Sequence, residues 1–155
     1  MSGVVRFVHL LAVGIWIGEI VFFSFVGAPA IFQVLERARA GDVTSAIFPR
    51  YYALGLGAGV VAALSAFVLA ARAAAPGAWR AAAASLALGV VLTGVAGWHL
   101  TPRARALRPM LQTAPPGDPV HVEFARIHRW AVGLNAGTLA VALVGLGCAA
   151  AALRE

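Results

Sequence analysis

Apolar residues come along this chain in four long runs, and the stretches between them hold nearly all of its charge. The runs are Phe7 to about Leu35, Tyr51 to Ala71, Ala81 to Leu100 and about Trp130 to Leu153. About 20 apolar residues cross roughly 30 Å of hydrocarbon as a helix. None of the runs alternates apolar and polar residues with the period of two expected of a barrel strand. Lipid admits only helices and closed barrels. The pattern therefore predicts an all-α, integral membrane four-helix bundle, with residues 1–155 forming one transmembrane domain.

Details of the runs refine this picture. The first is much longer than the 7–15 apolar residues of a cleaved signal core, so it reads as a retained span. Pro29 falls inside it and predicts a kink. The following residues, Ile31 to Gly41, suggest a helix that leaves the bilayer and turns amphipathic. A polar, partly helical loop is expected over about 36–50, and a short one around Ala75-Pro76-Gly77. The third loop, about 101–127, contains Thr101-Pro102 and the run Ala114-Pro115-Pro116-Gly117-Asp118-Pro119, which signals a break. Val120 to Arg129 then reads as a cytoplasmic extension of helix four.

Composition agrees with the pattern. Hydrophobic residues make up 61% of the 155 and charged residues 12%, against roughly 25% charged in soluble domains. So few charges could not cover a water-soluble chain of this size. Disorder, nucleic-acid binding and most soluble enzymes are excluded. The net charge is +6, and all twelve basic residues are arginine. One cysteine, Cys148, cannot pair within the chain.

Arginine placement predicts orientation. Arg6, Arg72, Arg80 and Arg154 lie on one side. Arg37, Arg39, Arg50, Arg103, Arg105, Arg108, Arg126 and Arg129 lie on the other. The second group should face the cytoplasm, which puts both termini outside a bacterial inner membrane. Trp79, Trp98 and Trp130 fit an interfacial aromatic belt. The pairs Gly14/Gly18, Gly55/Gly59 and Gly133/Gly137 are small residues four apart, the spacing that lets helices approach closely in lipid.

Polar side chains at membrane depth are costly and point to function. Glu19 lies 13 residues past Arg6, roughly 20 Å along a helix at 1.5 Å per residue. Arg50 and Tyr51, His99, His128 and Asn135 fall in the same slab. Together with Glu19 they predict a polar pocket open to the cytoplasm, within which Arg50 could pair with Glu19. His9 lies near the outer surface, where helices two to four offer it Ser65 and Ser85. Two cofactor classes stay open: a transition metal, for which His9 and His128 are candidate ligands, and haem. No metal-site, phosphate-loop or nucleotide motif occurs, and no nucleophile has a positioned base. No catalytic residue is expected.

The segments His9-Leu10-Leu11, Trp16-Ile17-Gly18, Phe22 to Val26 and Ala28-Pro29, followed by Phe48-Pro49-Arg50-Tyr51-Tyr52, carry a family resemblance. So do Trp98 to Arg103 and Phe124 to Arg129 with Asn135. The chain resembles the transmembrane protein 205-like family, known in bacteria as domain of unknown function 4149. The resemblance implies a four-helix membrane protein and makes His9, Pro49, Tyr51, Pro102, Arg103, His128 and Asn135 its matching positions. A human member is linked to resistance to platinum drugs, which implies metal or drug handling. The early histidine is also similar to that of copper-resistance D and HemJ-type haem-pathway proteins.

Three functions follow as expectations. The first is binding or movement of a cation, metal complex or small hydrophobic compound through the pocket, which would need an oligomer because four helices enclose little space. The second is an accessory or structural subunit of a larger membrane complex, with a basic face suited to anionic lipid. The third is a haem-binding or redox protein.

Overall fold

The computed structural model describes residues 2–154, and among these every regular element is helical. Eight segments build four long rods. α1 (Ser2–Phe22) passes through a π-helical stretch (Phe23–Gly27) into α2 (Ala28–Val34). α3 runs Arg37–Arg72. α4 (Gly77–Gly94) passes through a second π-helical stretch (Val95–Leu100) into α5 (Thr101–Thr113), and α6 runs Pro119–Ala152. The four rods, Gly3–Val34, Arg37–Arg72, Gly77–Thr113 and Pro119–Ala152, are each long and apolar enough to cross a membrane. This is a multi-pass helical membrane protein.

Prolines explain both irregularities. Pro29 brings no N–H to the chain and crowds the carbonyl four residues back. The backbone answers one residue earlier: Ala28 N–H donates to Phe23 O, an i to i−5 bond. Pro102 has the same effect, with Thr101 N–H donating to Ala96 O and the Thr101 hydroxyl donating to the same oxygen at 2.9 Å. The expected kink near Pro29 is therefore a π-bulge on its N-terminal side.

The loops at one end are shorter than the hydropathy suggests. Residues 37–50 are helical and continuous with the second span. Residues 101–113 prolong the third rod, so the loop after it shrinks to 114–118. Pro49 leaves the carbonyl of Ser45 without its usual helical donor, and Arg105 Nη2 donates to that oxygen at 2.7 Å. Arg108 binds the carbonyls of Ala38 and Gly41, the Ser45 hydroxyl and, at 2.9 Å, Asp42. Two arginines of α5 thus hold the start of α3. Asp118 Oδ1 accepts from Val120 N–H at 2.9 Å and caps α6, while Gly117 takes a φ of +92° in the preceding turn. The extension of the fourth helix below Trp130 is present as α6 from Pro119.

α1 packs against α3 and α6, and α4 closes the ring between α3 and α6. Buried positions that form a seam on α1 are His9, Val13, Trp16 and Ile20, and on α3 Gly55, Gly59, Ala62, Ala66 and Leu69, with Ala12, Tyr51, Ser65 and Ala70 also buried beside them. On α4 and its continuation they are Trp79, Ala82, Leu86, Gly89, Thr93 and Ala96; on α6, Thr138, Ala142, Gly145, Ala149 and Ala152. Steps of three and four alternate in all four sets, which is the seam of left-handed helix packing. Small residues dominate this seam. Large ones such as Leu64, Phe67, Val91 and Val144 point outward, as suits a bundle whose solvent is hydrocarbon.

The small-residue pairs and the tryptophans differ in where the structure places them. Gly55 and Gly59 do receive a neighbour, the Trp16 indole. Gly14, Gly18 and Gly133 have nothing within 4 Å of where a Cβ would stand, so they do not bring helices together within the chain, and Gly137 meets only Leu92 at 3.5 Å. The close approaches the sequence reading missed are Gly89, Gly97 and Gly145, against Trp16, Tyr52 and Leu86. Trp79 is not in the aromatic belt: it is 3% exposed, whereas Trp98 and Trp130 are 72% and 62% exposed.

Candidate functional site

The polar side chains of the bundle fall into two layers on one face of α1. The first surrounds His9, which has no exposed surface. Its Nδ1 lies 3.1 Å from both Ala62 O and Ser65 Oγ. The Ser65 hydroxyl has one proton and a 2.7 Å acceptor in Val61 O, so Nδ1 carries the hydrogen and donates it. Nε2 is then a bare lone pair, buried without a hydrogen-bond partner. The ring meets Trp79 edge to face, with centroids 5.4 Å apart.

The second layer lies ten residues further along α1, roughly 15 Å at helical rise. Glu19, Tyr51, Tyr52, Thr93, Asn135 and Thr138 surround a small cavity there, with Trp16 and Ile20 completing the wall. Its volume is about 10 Å³, close to the smallest space that holds one water molecule. The Tyr51 hydroxyl donates to Asn135 Oδ1 at 2.7 Å, and Asn135 Nδ2 donates to the Ser24 hydroxyl at 3.1 Å. This relay crosses from α3 to α6 to the π-helical turn after α1. The π-bulge has a direct consequence here, since Ser24 belongs to the turn that Pro29 rearranges. Below Tyr51, Phe23, Phe48 and Tyr52 close the layer with edge-on and tilted aromatic contacts.

Glu19 is the unusual member. Both carboxylate oxygens are shielded from the surface, and neither has a hydrogen-bond partner among the described residues. Oε2 and the Trp16 Nε1 each lie 3.3 Å from where a Gly55 Cβ would stand. Any side chain at position 55 would push into both.

Of the six residues placed in the pocket by the sequence, the structure brings three together: Glu19, Tyr51 and Asn135. It leaves Arg50, His99 and His128 exposed and outside the cavity. Arg50 does not pair with Glu19: it is turned back along α3, donating to Ala46 O at 3.3 Å. A long cationic side chain near a helix end reaches for the polar surface instead of the bilayer interior. His128 stacks on Phe124, with centroids 6.4 Å apart. It sits seven residues, roughly 10 Å, from Asn135 on the side away from His9. His9 and His128 therefore cannot share a metal ion within one chain. No cluster of three His, Cys, Asp or Glu side chains occurs among the described residues.

The sequence reading missed Trp16, Ser24, Thr93 and Thr138. A usable signal existed for Trp16: a tryptophan at mid-membrane depth, one turn from the only acid in its run.

Fold and site define a small polytopic membrane protein with one carboxylate-bearing pocket inside its helices. Comparison with known proteins carries this to a family. Residues 11–113 match the model of a domain of unknown function, DUF4149, and the chain belongs to that family. Over 35 residues it is 54% identical to an uncharacterized protein of Aquifex aeolicus (strain VF5), a match covering 23% of this chain and 26% of that protein. The chain thus matches about a quarter of that relative's length. No solved structure matches.

Proposed function

We propose that this protein binds a small cation, a proton at the least, at Glu19 and helps move it toward the arginine-rich side of the membrane. The observation that carries this reading is the shielded, unpartnered carboxylate. A bare charge in a low-dielectric interior is costly unless it is compensated. Arg50 does not compensate it, so the compensating charge has to come from a bound cation. The cavity supports a small one. Its volume of about 10 Å³ is far below the 300–1,000 Å³ of sites for drug-sized compounds. A metal complex finds little support either, because Glu19 is alone in the pocket as an anionic ligand.

The placement of this site belongs to the same proposal. Arginine bias puts the α2, α5 and lower α6 ends in the cytoplasm of a bacterial inner membrane, with both termini outside. Resemblance to the transmembrane protein 205-like family, at His9, Pro49, Tyr51, Pro102, Arg103, His128 and Asn135, supports handling of a charged species. A second copy of the chain would complete a path, and the open face at Gly14 and Gly18 supports close approach by another helix.

Infrared difference spectroscopy on the purified protein tests the reading. A proton titration should change a carboxyl band that Glu19→Gln removes. If sodium or potassium perturbs that band at constant pH, the cation is a metal ion and not a proton. A spectrum without any Glu19-dependent response to protons or alkali cations would remove the proposal.

A further inference from the structure

We infer that Trp16 is the barrier of this route: its indole closes the Glu19 pocket toward the His9 layer. The inference rests on the reading of Glu19 as a cation site. It comes from a juxtaposition along α1. His9 and Glu19 are the polar side chains of that helix's buried half, and Trp16 lies between them, one turn from Glu19 and two from His9.

The space between the two polar layers is filled. Val13, Trp16 and Leu86 are among the largest fully buried side chains, at 0%, 1% and 0% exposure. The indole lies in a notch cut by glycines on two other helices. A Cβ at Gly59 would stand 2.7 Å from Trp16 Cη2, and one at Gly89 would stand 2.8 Å from it. The other end of the same ring forms part of the wall of the Glu19 cavity, beside Gly55. One side chain therefore fills the cross-section between α3 and α4 and borders the site. Beyond it, the polar groups are the Ser85 hydroxyl, already donated to Val141 O at 2.7 Å, and then the His9 imidazole and the Ser65 hydroxyl. With the indole in place, a cation at Glu19 has no polar step toward that end. With the indole removed, the vacated volume joins the one-water cavity to the space beneath His9, and water can bridge the layers.

Proton flux in reconstituted vesicles tests this, read with an internal pH dye under an imposed gradient. Trp16→Ala should raise the passive leak several-fold over the native protein. Adding Glu19→Gln to the same chain should return it to the native level, because the leak runs through the carboxylate. Free indole should also lower the leak of Trp16→Ala by refilling the notch. If Trp16→Ala does not fold, as judged by circular dichroism, Trp16→Leu carries the same comparison. A folded Trp16→Ala or Trp16→Leu protein with native leak overturns the inference. So does a leak that Glu19→Gln leaves intact, which would be general loosening of the bundle. The Glu19 infrared band is read on the same samples. A band that persists with an unchanged leak removes the barrier and spares the site; a band missing from the native protein removes both.

Discussion

At the scale of single residues, the candidate site is an unequal partnership. Asn135 is engaged at both its oxygen and its nitrogen, accepting from Tyr51 and donating to Ser24, while Glu19 beside them has no donor. Tyr51→Phe would leave Asn135 Oδ1 unmatched in the interior. We expect a loss of about 1–3 kcal/mol, the usual cost of an orphaned buried acceptor, measured by reversible unfolding in mixed micelles. An unchanged stability would mean that water replaces the hydroxyl. Which residues met here was partly legible. Glu19, Tyr51 and Asn135 share a depth that follows from counting residues along helices. Arg50 and His99 lie close to that depth and His128 two turns from it, yet all three are exposed. Depth is a property of sequence position, but facing depends on how each helix is rotated against its neighbours. In spans that are apolar on every side, polarity does not reveal that rotation.

At the scale of elements, prolines and glycines govern where backbones bend and where they touch. Pro29 and Pro102 each shift a carbonyl to an i to i−5 partner, and Pro49 frees one that Arg105 takes from another helix. The sequence announces these prolines but not their partners, so residues 101–113 read as loop and 37–50 as only partly helical when both are helix. Glycine contacts are equally contextual. A Cβ at Gly145 would stand 2.7 Å from Leu86 Cγ, whereas one at Gly147, two residues on, would meet nothing within 4 Å. Gly145→Ala should therefore destabilise the bundle by about 1–3 kcal/mol through overpacking. Gly147→Ala should be neutral or slightly stabilising through helix propensity. Parallel unfolding curves of the two variants check this contrast; equal effects would show that the α4–α6 interface yields freely. The alternating three-four seam of small residues was present in the sequence as spacing. It was hidden because the large apolar residues on the other face mask it: hydrocarbon outside rewards apolar side chains as the interior does.

At the scale of the whole molecule, the four rods extend well past the hydrocarbon at one end. A rod of 32 to 37 residues is roughly 50 Å long at 1.5 Å per residue, against about 30 Å of lipid core. The excess gathers where α2, the start of α3, α5 and the start of α6 meet, and eight of the twelve arginines lie there. The proposed orientation makes a direct prediction. A phosphatase reporter active only outside the cytoplasm should work when fused to either terminus and fail when inserted at Gly117. The opposite pattern would reverse the side of the membrane toward which the proposed cation moves.

The amino-acid sequence alone determined the solvent of this protein, the number of its spans and the order of polar groups along each span, because transfer into hydrocarbon depends on composition and rise per residue. It also announced the backbone irregularities at Pro29 and Pro102, because a missing N–H is a covalent fact. Only the packed bundle decided which polar groups face one another. There Trp16 fills a notch of glycines from two other helices, Glu19 is left without a partner, and Arg50 turns away. Those outcomes follow from helix rotation and van der Waals fit between segments far apart in the chain, which no local pattern encodes.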